Sequence, residues 1–226
     1  ASALATSVDN VKLEFSGSVR DAAAKLKTAL DIDALSLYMD KIPYLSKAKI
    51  DADVDIDADL SNNKFVFSQN SVALNEIKAQ FDGFVHLVDS ATIDMDLALK
   101  TPDIDFKQIL SLIPAVYAKD FASLKTAGDV KLSAVAKGRM QGENLPAFDV
   151  NLEIIDAMLK YPDLPSDIKG IDIKARATNP GGVADLTVID VPSLKFNMAG
   201  NPFEARVGLK TPVSDPDFDF GAKGKI

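Results

Sequence analysis

The densest set of potential metal ligands in this chain is a row of five aspartates spaced two apart, Asp51, Asp53, Asp55, Asp57 and Asp59. Hard cations such as calcium need about six to eight oxygens gathered around one point. Alternate residues of a strand instead project in parallel at intervals of about 6–7 Å, and no glycine-turned loop draws these five together. Read as structure, the same row keeps a strand soluble and discourages edge pairing. No metal site is assigned. His86 is the only histidine and cysteine is absent, so a zinc centre or an acid–base pair built on imidazole has no partner residues. His86 is expected to be a solvent-facing strand residue. No nucleophile elbow is present for Ser/His/Asp chemistry. Asn179-Pro180-Gly181-Gly182 lacks the spaced glycines, lysine and following helix of a phosphate loop, and is expected to be a turn. The chain is therefore expected to be non-enzymatic, with no catalytic residue, metal or cofactor.

The elements around these residues are set by period-two alternation. Ile50, Ala52, Val54, Ile56, Ala58 and Leu60 interleave with the five aspartates, which puts an apolar face against a carboxylate face. Ser61-Asn62-Asn63 has the chemistry of a tight hairpin, and alternation resumes at Phe65 and Phe67. The rhythm recurs over 11–19, 22–32, 72–81, 93–99, 130–136, 150–154, 171–177, 186–189, 194–198 and 205–209. This predicts an all-β fold of a dozen or so strands in an antiparallel meander. Pro- and Gly-rich stretches at 41–44, 161–165, 179–182 and 201–203 punctuate it as turns, strand starts or edges.

One segment departs from that rhythm. Phe106, Ile109, Leu110, Ile113, Tyr117, Phe121 and Leu124 recur at three- and four-residue steps, predicting a kinked amphipathic helix around 103–125. Asp103 or Asp105 is expected to cap it, Pro114 to bend it and Gly128 to end it. Leu99-Lys100-Thr101-Pro102 reappears as Leu209-Lys210-Thr211-Pro212. The expected organisation is one elongated β domain over 1–226, with 1–102 and 128–226 as possible sub-units joined by helix 103–127.

Composition narrows the class. Hydrophobic residues make up 47% of the 226, enough for a core, and the formal net charge of −8 opposes binding to nucleic acid or an anionic membrane surface. The longest uncharged apolar stretch runs from Ile109 to Ala118, short of the roughly 20 residues that span a bilayer. The chain is read as a fragment of a longer protein, with any anchor or export signal outside it. Having no Trp and four Tyr speaks mildly against a glycan partner.

Alternation on every strand poses a physical problem, because a sheet with one continuous oily face must have that face covered. About 20 helical residues are too few to blanket a dozen strands. The options are a sheet folded onto itself, a closed barrel, a second sheet, or a bound apolar ligand. Fully burying one Val, Leu, Ile or Phe is worth roughly 1.5–3 kcal/mol, so a fully wet face is untenable.

A resemblance bears on the choice. Tyr161-Pro162-Asp163-Leu164-Pro165, Asn179-Pro180-Gly181-Gly182, Thr187-Val188-Ile189-Asp190, Gly200-Asn201-Pro202-Phe203-Glu204-Ala205-Arg206 and Leu209-Lys210-Thr211-Pro212-Val213-Ser214-Asp215-Pro216 resemble, in order and spacing, the AsmA family of Gram-negative envelope proteins. Ile42-Pro43-Tyr44, the alternating aspartates, and Leu110–Tyr117 with Asp120-Phe121 extend the likeness over nearly the whole chain. The resemblance implies a periplasmic protein whose parent is tethered to the inner membrane by an N-terminal helix absent here. It implies a highly curved antiparallel sheet folded into a taco-like groove or sandwich, and work in phospholipid transport and outer-membrane maintenance. The family has no catalytic motif to carry over.

The expected partner is thus a phospholipid or other acyl-chain lipid, with envelope proteins as further partners and no nucleic acid. Val54, Ile56, Phe65, Phe67, Leu97 and Leu99 are the candidate lipid-facing residues, and equally candidates for ordinary core. The alternative is a closed structural or assembly scaffold that recruits partner chains by edge-strand addition.

Overall fold

The structure, a computed structural model, describes residues 4–39, 42–102, 104–110, 124–161 and 166–224. Among these, the alternating segments form one 13-stranded antiparallel sheet. Its first half comprises β1 (Leu4–Arg20), β2 (Ala23–Met39), β3 (Ile42–Asp59), β4 (Lys64–Leu74), β5 (Ile77–Leu87) and β6 (Thr92–Lys100). A two-residue β7 (Ile104–Asp105) leads into helix α1 (Phe106–Leu110). The second half comprises β8 (Lys125–Gln141), β9 (Ala147–Lys160), β10 (Ile168–Asn179), β11 (Val188–Met198), β12 (Asn201–Lys210) and β13 (Asp217–Gly224). Each long strand pairs with the next, and β6 pairs directly with β8, so the sheet is continuous across the α1 connection. β1 and β13 are its two edges and do not pair with each other. The described strands therefore do not close into a barrel.

Hairpin turns follow from local chemistry. The Asp59 carboxylate accepts the backbone N–H groups of Ser61 and Asn62, and Asn63 takes a positive φ of 49°, a conformation Asn tolerates better than most residues. Asn75 does the same at φ 54°. That second turn corrects the expected single strand over 72–81, where β4 ends at Leu74 and β5 begins at Ile77. The sign of it in the sequence is the three-residue step from Leu74 to Ile77, which breaks the period of two at Asn75. Conversely, 186–189 and 194–198 are not two strands. A 3-10 turn over Ala184–Leu186 precedes one strand, β11, that spans both.

Register sorts the side chains onto two faces. One row across the sheet reads Gly17, Leu26, Ile56, Phe67, Gly83, Leu97, Ala136 and Phe148. The opposite face is laced by cross-strand ion pairs, among them Lys27–Asp55, Lys137–Asp96, Lys174–Glu153 and Lys195–Glu204. Two members of the aspartate row, Asp55 and Asp57, thus face Lys27 and Lys25 of β2.

Bulges bend this ribbon at defined places, since an unpaired residue adds local twist and curvature. Register slips between Asp53 and Ile56 and between Phe67 and Asn70 lie side by side. There the Asn70 side chain, 1% exposed, accepts the Asp55 N–H at 2.6 Å and repairs the broken ladder. Pro192, which has no N–H to donate, falls within the slip between Val191 and Leu194. Gly83 has φ 131°, and a Cβ there would lie 1.9 Å from the Asp96 carbonyl oxygen, so the close β5–β6 approach admits no side chain.

The compact core sits at one end of the sheet. Asp105 accepts the Lys107 N–H at 2.9 Å while Gln108 accepts the Asp105 N–H at 2.9 Å, a reciprocal cap of the capping-box kind. Gln108 also donates to the Glu76 carbonyl at 2.8 Å, tying α1 to the β4–β5 turn. Phe106 and Leu110 then pack with Ile77, Ile104, Val130, Ile154, Ala157 and Ile171. The expected helix to 125 needs correction at its far end. Leu124 joins this core from outside any helix, and β8 has begun by Lys125. Gly128 lies inside β8, at a bulge where its hydrogens approach Ala157. Ile113, Pro114, Tyr117 and Phe121 lie outside the described residues.

Candidate functional site

The structure brings all six candidate residues onto one face. Val54 and Ile56 lie on β3, and Ile56 stands opposite Phe67 on β4, with Phe65 opposite Ala58. Phe65 faces Val85 on β5, and Phe81 faces Leu99 on β6, with Leu97 opposite Gly83. The Phe67 and Phe81 rings meet at 5.8 Å with a 52° tilt, a favourable edge-on arrangement. All six side chains are half-buried. They touch neighbours on the same sheet, and none belongs to the compact core under α1.

Exposure on this face rises toward the edges. On β1, Phe15 is 76% exposed, and on β13, Phe218 and Phe220 are 66% and 67% exposed. These three belong with the candidate surface, yet the sequence-based selection passed over them. Asp217-Phe218-Asp219-Phe220 carries the same alternation as the strands that were chosen. What singles these residues out is position at a sheet edge, which only the pairing order reveals. The chain's accessible surface is 14341 Å², whereas a compact monomer of 24.2 kDa would expose about 10,000 Å². An open sheet with one oily side accounts for an excess of that size.

On the charged face, cross-strand cations lower three carboxyls. Arg139 grips Asp94 through two hydrogen bonds of 2.7 and 2.9 Å, and that contact holds the Asp94 carboxyl below its ordinary value. Hydrogen bonds from Arg176 do the same for Asp149, and those from Lys223 for Glu204. Asp185 is lowered chiefly by the Ser214 backbone N–H, with the Val213 N–H beside it, which fastens the β12–β13 loop to the 3-10 turn. A depression of about 910 Å³, lined by Lys131, Asn151, Glu153, Lys174, Arg176 and Pro192, opens on this charged side. His86 stands opposite Lys64 and Asp94 on the charged face, partly exposed. Among the described residues no three His, Cys, Asp or Glu gather as a metal cluster, and no helix is long and apolar enough to cross a membrane.

The arrangement is a two-sided ribbon, with apolar side chains on one face and ion pairs on the other. Comparison with known proteins found no matching family model, no matching curated protein and no matching solved structure.

Proposed function

We propose that this chain is a non-enzymatic lipid-handling module of the AsmA type. In this reading it works in the periplasm within a parent tethered to the inner membrane, in phospholipid transport between membranes and outer-membrane maintenance. The observation that supports the reading is an apolar face that, among the described residues, carries no second layer over most of its area. Val54, Ile56, Phe65, Phe67, Leu97 and Leu99 line one side of the sheet, half-buried, while the compact core is confined to the α1 end. An acyl chain of about 16 carbons laid on such a face would gain on the order of 12 kcal/mol before ordering costs, at ~0.8 kcal/mol per buried methylene. A predominantly apolar surface lets that chain slide, and headgroups remain in water at the rim. Selectivity among headgroups is then low, as a bulk carrier requires.

Native mass spectrometry of the purified chain tests this. Co-purifying phospholipid is expected, and Val54→Asp is expected to remove it while circular dichroism stays that of the parent. A folded chain that carries no lipid and takes up no fluorescent fatty acid would refute the carrier role.

A further inference from the structure

We propose that the charged face carries a phosphate site, built by Lys100, Lys131 and Ser133, which takes a phosphate monoester with a polar body from solution. The depression of about 910 Å³ on that face lies over β8, β9 and β10 in the middle of the sheet, with Lys100 and Pro192 at its two ends. Its lining holds four cations, Lys100, Lys131, Lys174 and Arg176, against two carboxylates, Glu153 and Asp190, in a chain whose formal net charge is −8. Two of the cations are already engaged. Lys174 holds Glu153 at 3.2 Å, and Arg176 holds Asp149. Lys100 and Lys131 are exposed and have no ion-pair partner among the described residues. The carboxylate directly across from Lys131 is Glu153, which Lys174 on its other side draws away.

Strand pairing brings the two free ammonium groups to one place. Lys100 stands directly opposite Ser133, and Lys131 lies two residues before Ser133 on the same face. Their backbones are therefore about 8 Å apart, a spacing from which two lysine side chains close on a single anion. Between them the Ser133 hydroxyl has no hydrogen-bond partner among the described residues and is free to donate. A phosphate monoester carries close to two negative charges at neutral pH and three acceptor oxygens. That matches two ammonium groups and a hydroxyl, whereas a carboxylate would leave one cation uncompensated. The depression exceeds the size of one phosphate, and the Lys174–Glu153 pair and Arg176 offer polar contacts to the rest of the ligand. Asp190 lies four strand spacings from Lys100, about 19 Å, and closes the far end to a second phosphate. The sheet itself stands between this site and the apolar face, so the headgroup of a lipid held on that face does not reach it.

Amide NMR titration of the chain with inorganic phosphate and with glycerol phosphate, at constant ionic strength, tests this. Saturable shifts centred on Thr101, Lys131 and Ser133 are expected, with glycerol phosphate the tighter ligand. Lys131→Gln is expected to weaken binding by about tenfold or more. Glu153→Gln should tighten it, because that change removes the nearest competing carboxylate and releases Lys174. Lys78→Gln, at an exposed lysine elsewhere on the charged face, should leave the affinity unchanged. Shifts that spread over the lysines of the whole face without saturating, or an affinity as sensitive to Lys78→Gln as to Lys131→Gln, would overturn the site. A water-soluble short-chain phosphatidic acid that binds more tightly than glycerol phosphate would overturn the assignment to a ligand from solution. Each outcome is independent of whether lipid occupies the apolar face.

Discussion

Ile154 and Ile56 are the same residue type on the same side of the same sheet, yet Ile154 is 5% exposed while Ile56 is only half-buried. The difference lies in what rests on them. Ile154 shares a buried cluster with Phe106 and Leu110 of α1, and Gln108 ties that helix to the Glu76 carbonyl. Ile56 is flanked by its sheet neighbours, Leu26 from β2 and Phe67 from β4, and belongs to no buried cluster among the described residues. Alternation makes a face apolar, but a second layer makes it a core. Among the described residues, one end of the sheet has that layer, while the rest leaves the same chemistry accessible.

Truncation at the two sites measures the contrast directly. Ile154→Ala is expected to destabilise by about 2–5 kcal/mol, since a closed site leaves a cavity. Ile56→Ala should cost about 1 kcal/mol, because its side chain already meets solvent. Urea unfolding of both variants checks this, and equal losses would erase the distinction between core and open face. Gly83→Ala follows, at about 1–3 kcal/mol. Its Cβ would collide with the β5–β6 backbone beneath the open face, so instability without any lost contact would show that backbone approach shapes this region.

Asn70→Ala sharpens the picture further. It removes the acceptor of the Asp55 N–H at the paired bulges, with an expected cost of about 1 kcal/mol. Faster amide exchange confined to the Asp55 region would identify the cause. The smallest effect is electrostatic. Arg139 depresses the Asp94 carboxyl from its ordinary 3.8, so this pair adds stability above that pH and loses it as pH falls through the lowered value. Arg139→Gln should therefore narrow the difference in stability between neutral pH and pH below about 3.8. Because the pair lies at the surface, the change should be slight and should shrink in salt.

Much of this was readable before any coordinates. The row from Ile50 to Ala58, broken by aspartates, announces β3, and Asn62-Asn63 announces the hairpin that follows. Phe106, Ile109 and Leu110 at helical spacing announce α1, and Asp105 its cap. The β4–β5 turn at Asn75 was legible too, in the three-residue step from Leu74 to Ile77 that shifts the alternation out of phase, but a run of apolar residues on both sides masked it. The sites of Phe15, Phe218 and Phe220 escaped for a different reason, since a strand does not encode whether it will have one neighbour or two.

By itself the sequence determined which side of each strand is oily and which is charged, because a pleated backbone turns successive side chains to opposite faces. It also determined where the ribbon breaks, through Asn, Gly and Pro. Tertiary structure alone decided that β6 reaches past α1 to β8, that the core gathers under one short helix, and that β1 and β13 are left as edges. Those outcomes rest on pairings and contacts between residues far apart in the chain, and no local pattern carries that information.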